Sequence, residues 1–177
     1  MNSKVVKVSV IIPTHKRCLR LKKAIDSVVQ QTYSNIEIII VDDNNPGTSH
    51  RSNVEQIISK YNDSRILYIQ HKKNLNGAAA RNTGIKKSTG KIITFLDDDD
   101  YYFPNKIKIQ LDYLLKNKIY KGVYCGSIIK GQKKIPNKEG ILSQDILLKK
   151  SILYTPTLMF YKDVIMELKG FDEKFIR

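Results

Sequence analysis

Ile92-Ile93-Thr94-Phe95-Leu96 runs directly into Asp97-Asp98-Asp99-Asp100. A short apolar run bounded by polar residues reads as a strand buried on both faces of a sheet, and it spans Lys91 to Leu96. The four aspartates then crowd where that strand surfaces. Carboxylates about 4 Å apart repel by roughly 4 kcal/mol at an effective dielectric near 20, so the cluster calls for a cation or for partial protonation. Two readings follow: a site for a hard divalent ion, or a solvated acidic loop capping a helix that begins near Pro104. In extended backbone Asp97 and Asp99 would point one way, and Asp98 and Asp100 the other.

Upstream, the same kind of strand recurs between helical patterns. Val5 to Ile12 reads as a strand, and Leu21, Ala24, Ile25, Val28 and Val29 then follow at helical spacing. Ile36 to Val41 is a second strand, closed by the turn formers Asp42-Asp43-Asn44-Asn45-Pro46-Gly47. A helix over Asn53 to Tyr61, a strand over Ile66 to Gln70 and a helix over Gly77 to Ser88, with Gly84 as its soft spot, lead to the acidic strand. Alternation of this kind builds a mostly parallel sheet with helices on both faces. Downstream, Pro104 and the periodic Ile107, Leu111, Leu114 and Leu115 predict a helix to about Asn117. Val123 to Ile129 and Ile135 to Leu142 flank the turn residues Lys130-Gly131-Gln132 as a hairpin. Tyr154 to Tyr161 and a short helix over Lys162 to Lys169 follow. No linker or repeat interrupts the 177 residues, which read as a single α/β domain.

Lysine and arginine total 31 against 17 acidic residues, a formal charge of +14. That balance suits anionic partners: nucleic acid, an anionic membrane surface or phosphorylated small molecules. The lysines are dispersed, and neither an RNA-binding aromatic motif nor a zinc pattern accompanies them, so nucleic acid is disfavoured. Cys18 and Cys125 form no CxxC pair, the usage expected of a reduced, cytoplasmic protein. No apolar run approaches the length of a membrane span, which leaves peripheral contact as the only membrane mode expected.

Open α/β sheets bind ligands outside the carboxyl ends of their strands, and the chemically equipped residues cluster at those ends. Pro13, Thr14, His15 and Arg17 follow the first strand, Asp42 and Asp43 the second, Asp97 to Asp100 the fourth, and Arg81 opens the third helix. His15 offers a ring for stacking on a base, Asp43 an acceptor for a base N–H, Arg81 a fork for phosphate, and Asp99 an oxygen ligand for a cation. Each also has an ordinary reading. Asp42 or Asp43 could cap the next helix, His15 could be structural, and Arg81 could be a surface residue. A shared rim is what independent surface roles would not require.

Taken in order, Val8 to His15, Ser27 to Tyr33, Ile38 to Asp43, Asn76-Gly77 with Ala80 to Gly84, Gly90 to Asp100 and Pro104 resemble the family 2 glycosyltransferases, inverting enzymes of the GT-A fold. Lys169-Gly170-Phe171-Asp172-Glu173 is similar to the family's Gly-Phe-Asp segment. The resemblance implies a GT-A, Rossmann-like sheet with a nucleotide-sugar-binding half over 1–104 and the start of an acceptor half over 105–177. It implies metal-dependent transfer of a sugar from a nucleotide-sugar, a UDP-sugar by expectation, to a hydroxyl of a saccharide or lipid-linked saccharide in bacterial surface polysaccharide synthesis. Pro13, Thr14 and His15, with Arg17 nearby, would border base and ribose. Asp43, and less directly Asp42, would read the base, while Arg81 would approach the diphosphate. Asp97 and Asp99 would be the acids of a DxD motif for Mn²⁺ or Mg²⁺, with Asp98 also near the nucleotide. The family's catalytic base lies downstream of the Gly-Phe-Asp segment and is expected beyond Arg177; Asp172 reads as ordering a loop and Asp145 as starting a helix. A chain ending there is expected to bind donor, and the alternative to transfer is a donor-binding fragment without activity. A nucleotidyltransferase on a similar sheet is a third reading, which the missing GxxxxGK[ST] loop does not encourage.

Overall fold

The computed structural model describes residues 6–142 and 153–174. β1 (Val8–Thr14) and β2 (Ile36–Asp42) pair in parallel, Val8 opposite Ile36 and Thr14 opposite Asp42. β3 (Ile66–Gln70) lies beside β2, and β4 (Ile92–Phe95) lies parallel on the other side of β1. The crossovers are α1 (Cys18–Val29), α2 (Ser49–Ile58) and α3 (Gly77–Lys87), because parallel neighbours need a return path over a sheet face. α4 (Lys106–Lys116) leads to β5 (Gly122–Tyr124), the separate hairpin of β6 (Ser127–Ile129) and β7 (Gln132–Lys134), then β8 (Leu158–Tyr161) and α5 (Lys162–Glu167). The main sheet runs β3-β2-β1-β4-β8-β5, with β8 antiparallel to both of its neighbours. The expected GT-A-like architecture, a mostly parallel sheet between helices with a small antiparallel hairpin, is the one observed.

Side-chain alternation divides the core between the two faces. Val8, Val10, Ile12, Ile36, Ile38, Ile40 and Ile92 pack with Leu21, Ile25 and Val28 of α1 and with Ile107, Leu111 and Leu114 of α4. Ile11, Ile39, Val41, Ile93 and Phe95 face the other way, onto Ala80 and Ile85 of α3 and Ile165 of α5. Burial on both faces is why β1, β2 and β4 read as continuous apolar runs rather than alternating ones. Gly84 lies where α3 crosses β1; a Cβ there would sit 2.4 Å from the Ile11 side chain. The residue is therefore a close-packing position rather than a weak point in the helix.

Several boundaries differ from the sequence reading. β1 continues two residues past Ile12, through Pro13 and Thr14. Ile11 accepts from Leu96 N–H on the β4 side, so the missing N–H of Pro13 faces that same side just where β4 has ended. α2 starts at Ser49 rather than Asn53, because Thr48 caps it by accepting from the Arg51 N–H at 3.3 Å. The stretch 123–129 is divided at Cys125-Gly126 between two sheets. Ile135 to Leu142 forms no strand; β7 instead begins at Gln132, and Lys130 (φ 50°) and Gly131 (φ 78°) make the two-residue turn. Val5 and Asp145 fall outside the described residues.

At the rim of the strands' amino ends, the buried Glu37 joins β1, β2 and the approach to β4. Its carboxylate accepts from Ser9 Oγ (2.5 Å), Thr89 N (2.6 Å), Thr89 Oγ1 (2.8 Å) and Gly90 N (2.9 Å), and Lys7 Nζ lies 3.1 Å away. Burial alone would raise its pKa, but the hydrogen bonds from Ser9, Thr89 and Lys7 outweigh it and hold the group at about 2. Stability from this clamp is fully present above the ordinary carboxyl pKa and is lost as pH falls toward 2. Glu37→Gln should therefore cost about 1–3 kcal/mol at pH 7, a penalty that shrinks as pH falls toward 2, as read from urea unfolding across that range.

Candidate active site

The sheet order reverses at β1, with β2 and β3 on one side and β4 on the other, so the crevice between the carboxyl ends of β1 and β4 is the topological switch point. The acidic run lies there. It forms a turn rather than an extended strand, with Asp100 N–H bonded to Asp97 O at 3.1 Å. Asp98 is turned inward and buried, accepting from Thr14 Oγ1 at 2.8 Å and from His15 N at 3.4 Å. Burial raises its pKa to about 6, with the charge on Asp99 adding to the rise and the bonds from Thr14 and His15 opposing it. Asp98 thus fastens the end of β1 to the turn, and Asp97 and Asp99 are left at the surface of the crevice.

Each of those two meets an arginine from a different segment. Arg81 Nη2, one turn into α3, bonds Asp97 Oδ1, and Arg17 Nη1, just before α1, bonds Asp99 Oδ2 at 2.7 Å. Arg81 also spends Nη1 on Gly77 O at 3.2 Å, while its buried Nε has no hydrogen-bond partner among the described residues. Asp100 is pushed up by burial and by Asp97 and Asp99, which are the repulsions that the clustering predicts. His15 is half-buried, and burial followed by the Lys16 charge lowers its pKa, so a neutral ring stands at the end of β1.

Asp42 and Asp43 are placed differently, in the interior. Asp42 is fully buried and accepts from Asn44 N (2.9 Å), Asn44 Nδ2 (2.8 Å) and Tyr68 OH (2.6 Å), with Arg51 Nε at 3.3 Å. Asp43 accepts from Leu75 N (2.8 Å), Asn76 N (2.9 Å) and Asn74 Nδ2 (2.7 Å), and its Oδ1 lies 2.7 Å from His71 Nδ1. Four contacts occupy both oxygens. Asp43 therefore shapes the loop that launches α3 and carries Arg81. Asn76 completes that launch in a left-handed conformation (φ 91°), its side chain accepting from the N–H groups of Ala78 and Ala79.

An open cavity of about 890 Å³ is lined by Arg81 and Asp97, by Tyr101, Phe103 and Lys106, and by Ser127 to Ile129 and Tyr154 to Thr157. Asp100 lines it as well, whereas Thr14, His15, Arg17 and Asp99 do not. Asn82 shapes the near wall by gripping the Gly-Phe-Asp segment, donating to Phe171 O and Glu173 Oε1 at 2.8 Å and accepting from Phe171 N at 2.8 Å. Gly170 (φ 75°) passes so close that a Cβ would lie 2.3 Å from Asn82 Oδ1. Phe171 consequently stacks edge-on to Phe95 at 5.1 Å and sits under the Arg81 guanidinium, while Asp172 lines the cavity. Lys106 Nζ, 2.7 Å from Thr94 Oγ1 and 3.8 Å over the Tyr102 ring, has its pKa lowered by burial to about 7.

The sequence reading did not single out His71, Asn74, Lys106 or Tyr102; Asn82 it placed on the rim beside Arg81, and the structure gives it the grip on the Gly-Phe-Asp segment. Asn74-Leu75-Asn76-Gly77 carries a usable signal, two asparagines and a glycine at a helix entrance. Lys106 carries none, since its burial depends on packing between α4 and β4.

Residues 9–168 match the profile of the family described as Glycosyl transferase family 2. An uncharacterised glycosyltransferase of Rickettsia felis is 49% identical over 111 residues, 63% of this chain and 18% of the relative. The Escherichia coli protein WfgD, named as a UDP-Glc:alpha-D-GlcNAc-diphosphoundecaprenol beta-1,3-glucosyltransferase, is 35% identical over 112 residues, 63% of this chain and 42% of its own. The chain thus spans less than half the length of both relatives. Among solved structures, S. aureus TarS 1-349 in complex with UDP superposes with a TM-score of 0.72 at 21% identity, covering 95% of this chain and 51% of that one. The mannosyltransferase PcManGT from Pyrobaculum calidifontis, in complex with GDP-Man and Mn²⁺, gives 0.72 at 18% identity over 97% of this chain and 49% of its own.

Buried scaffold carboxylates and crevice carboxylates should separate in stability measurements. Asp42→Asn and Asp43→Asn should each lower the free energy of unfolding by about 2–4 kcal/mol, because donors are left facing an amide N–H. Asp97→Asn and Asp99→Asn should each change it by less than about 1 kcal/mol, as partly exposed pairs do.

Proposed function

The chain belongs to glycosyl transferase family 2, and on that premise we propose that it transfers a sugar from a UDP-sugar to a hydroxyl of a saccharide or lipid-linked saccharide, with inversion and with Mn²⁺ or Mg²⁺. The observation that carries this reading is the convergence on one acidic turn of Thr14, His15, Arg17 and Arg81, beside a cavity large enough for sugars. In this reading residues up to 104 form the donor half and those after it the start of the acceptor half. Pro13, Thr14 and His15 border the base and ribose at the end of β1, where a neutral imidazole stacks on a base at no cost in charge. Asp42 and Asp43 act from behind, by fixing the loops around that pocket.

Arg81 is the group that meets the diphosphate. Its unpartnered Nε is a donor kept from water, and such a donor is costly unless a ligand oxygen takes it. As the bond to the sugar breaks, negative charge gathers on the departing diphosphate, and a guanidinium already held in place stabilises it without reorganising.

The donor set fits a hard divalent ion. Asp97 and Asp99 supply carboxylate oxygens, and among the described residues no group of three or more His, Cys, Asp or Glu side chains could hold a metal. Two carboxylates with phosphate oxygens completing the shell is the arrangement suited to Mg²⁺ or Mn²⁺ at nucleotide sites. When bound, such an ion supplies Lewis-acid stabilisation of the diphosphate. Arg17 and Arg81 neutralise the two aspartates in the free protein, and nucleotide with its counterion exchanges for these pairings. Among the described residues no helix is long and apolar enough to cross a membrane.

Titration calorimetry tests the reading. UDP should bind in the presence of Mn²⁺, with affinity falling at least about tenfold on chelation, and Mn²⁺ alone should bind only weakly. Asp99→Asn should remove the metal dependence, and Arg81→Ala should weaken UDP at least about tenfold while leaving uridine nearly unchanged. UDP binding indifferent to chelator and to Asp99→Asn would refute it.

A further inference from the structure

We propose that the β6–β7 hairpin is a docking element for an anionic bilayer surface, resting on the reading above that the acceptor is lipid-linked. β5 is parallel to β4, since both are antiparallel to β8, so the hairpin that follows β5 rises from the same rim of the sheet as the acidic turn. Ser127, Ile128 and Ile129 on β6 form part of the cavity wall. The hairpin is therefore continuous with the cavity mouth and belongs to no larger sheet.

Its chemistry is unlike a solvated surface loop. From Gly122 to Lys138 the sequence holds no aspartate or glutamate, while Lys130, Lys133 and Lys134 crowd the turn and β7. No salt bridge involves these three among the described residues. Bare isoleucines flank the cations: Ile128 is 49% exposed and Ile135 75%. Ile128 lies opposite Lys133 in the ladder, so an apolar side chain and a cation share one face. Isoleucine entering the headgroup region while lysine stems reach back to anionic headgroups is the arrangement that interfacial segments use. A nucleic-acid surface would be expected to offer arginines or stacking rings, and residues 126–138 contain neither.

The test is co-sedimentation of the whole protein with vesicles of phosphatidylcholine alone or with about 30% phosphatidylglycerol, at about 0.15 M salt. Wild type should bind only the anionic vesicles. Removing three near-surface cations, Lys130→Ser/Lys133→Ser/Lys134→Ser should lower partitioning at least about tenfold. Lys116→Ser/Lys118→Ser/Lys121→Ser, the same charge change around the start of β5 at the opposite rim, should lower it less than about threefold. Ile135→Ser, which keeps the charge, should lower it about threefold or more, against no change for Ile119→Ser. Equal losses in the two lysine triples would mean that the overall charge of +14 alone drives binding and would overturn the inference. So would an inert Ile135→Ser combined with equal binding to a soluble polyanion, or no vesicle binding at all. UDP affinity is read on the same samples: binding of UDP without binding of vesicles sinks this inference and leaves the transferase reading standing, and the converse sinks that reading alone.

Discussion

Repulsion among the carboxylates of Asp97 to Asp100 is the constraint that the rest of the molecule answers. They emerge where β4 leaves a core buried on both faces, where charge is least tolerated, and three of the four are dealt with separately while Asp100 stays exposed. Asp98 is taken inside on Thr14 and the His15 amide. Asp97 and Asp99 receive guanidinium groups from α3 and from the start of α1. Those answers come from segments far apart in the chain, so the turn is what gathers the crevice. The same arrangement leaves Asp97 and Asp99 partly exposed, the two carboxylates that the proposed cation would use.

Behind the crevice lies a second layer of charge with a different task. Asp42, Asp43 and Arg51 are buried and bonded to loop backbone, and the His71 ring joins Asp43 to Thr83, so they hold the β2 and β3 ends and the entrance to α3 in one geometry. Arg81 sits one turn into that helix, and its position is inherited from Asp43 and Asn76. The segment around Phe171 is fastened to the same helix through Asn82. α3 is thus the element through which the loops after β2 and β3 and the cavity wall are kept in register.

Much of this is legible in the amino-acid sequence, for a physical reason. Strands buried on both faces leave continuous apolar runs, and the polar residues that end them mark the rim, so β1 to β4 and the convergence at their carboxyl ends follow from patterning. Boundaries fared worse where side chains decide them: Thr48 advances α2 by capping it, and Lys130-Gly131 sets a tighter hairpin than the apolar pattern suggests. The division of labour among the aspartates was not legible. Asp42, Asp43, Asp98 and Asp99 are chemically alike in sequence, and only tertiary placement separates those consumed by scaffold hydrogen bonds from those facing the crevice. The burial of Lys106 is hidden for the same reason.

Paramagnetic broadening of backbone amide signals by Mn²⁺, recorded with and without UDP, tests the central claim most directly. The account predicts that the amides of Thr14, Arg81 and Asp97 to Asp100 broaden together, and only when UDP is present. Broadening confined to one of these segments, or spread over surface carboxylates elsewhere with UDP making no difference, would contradict it.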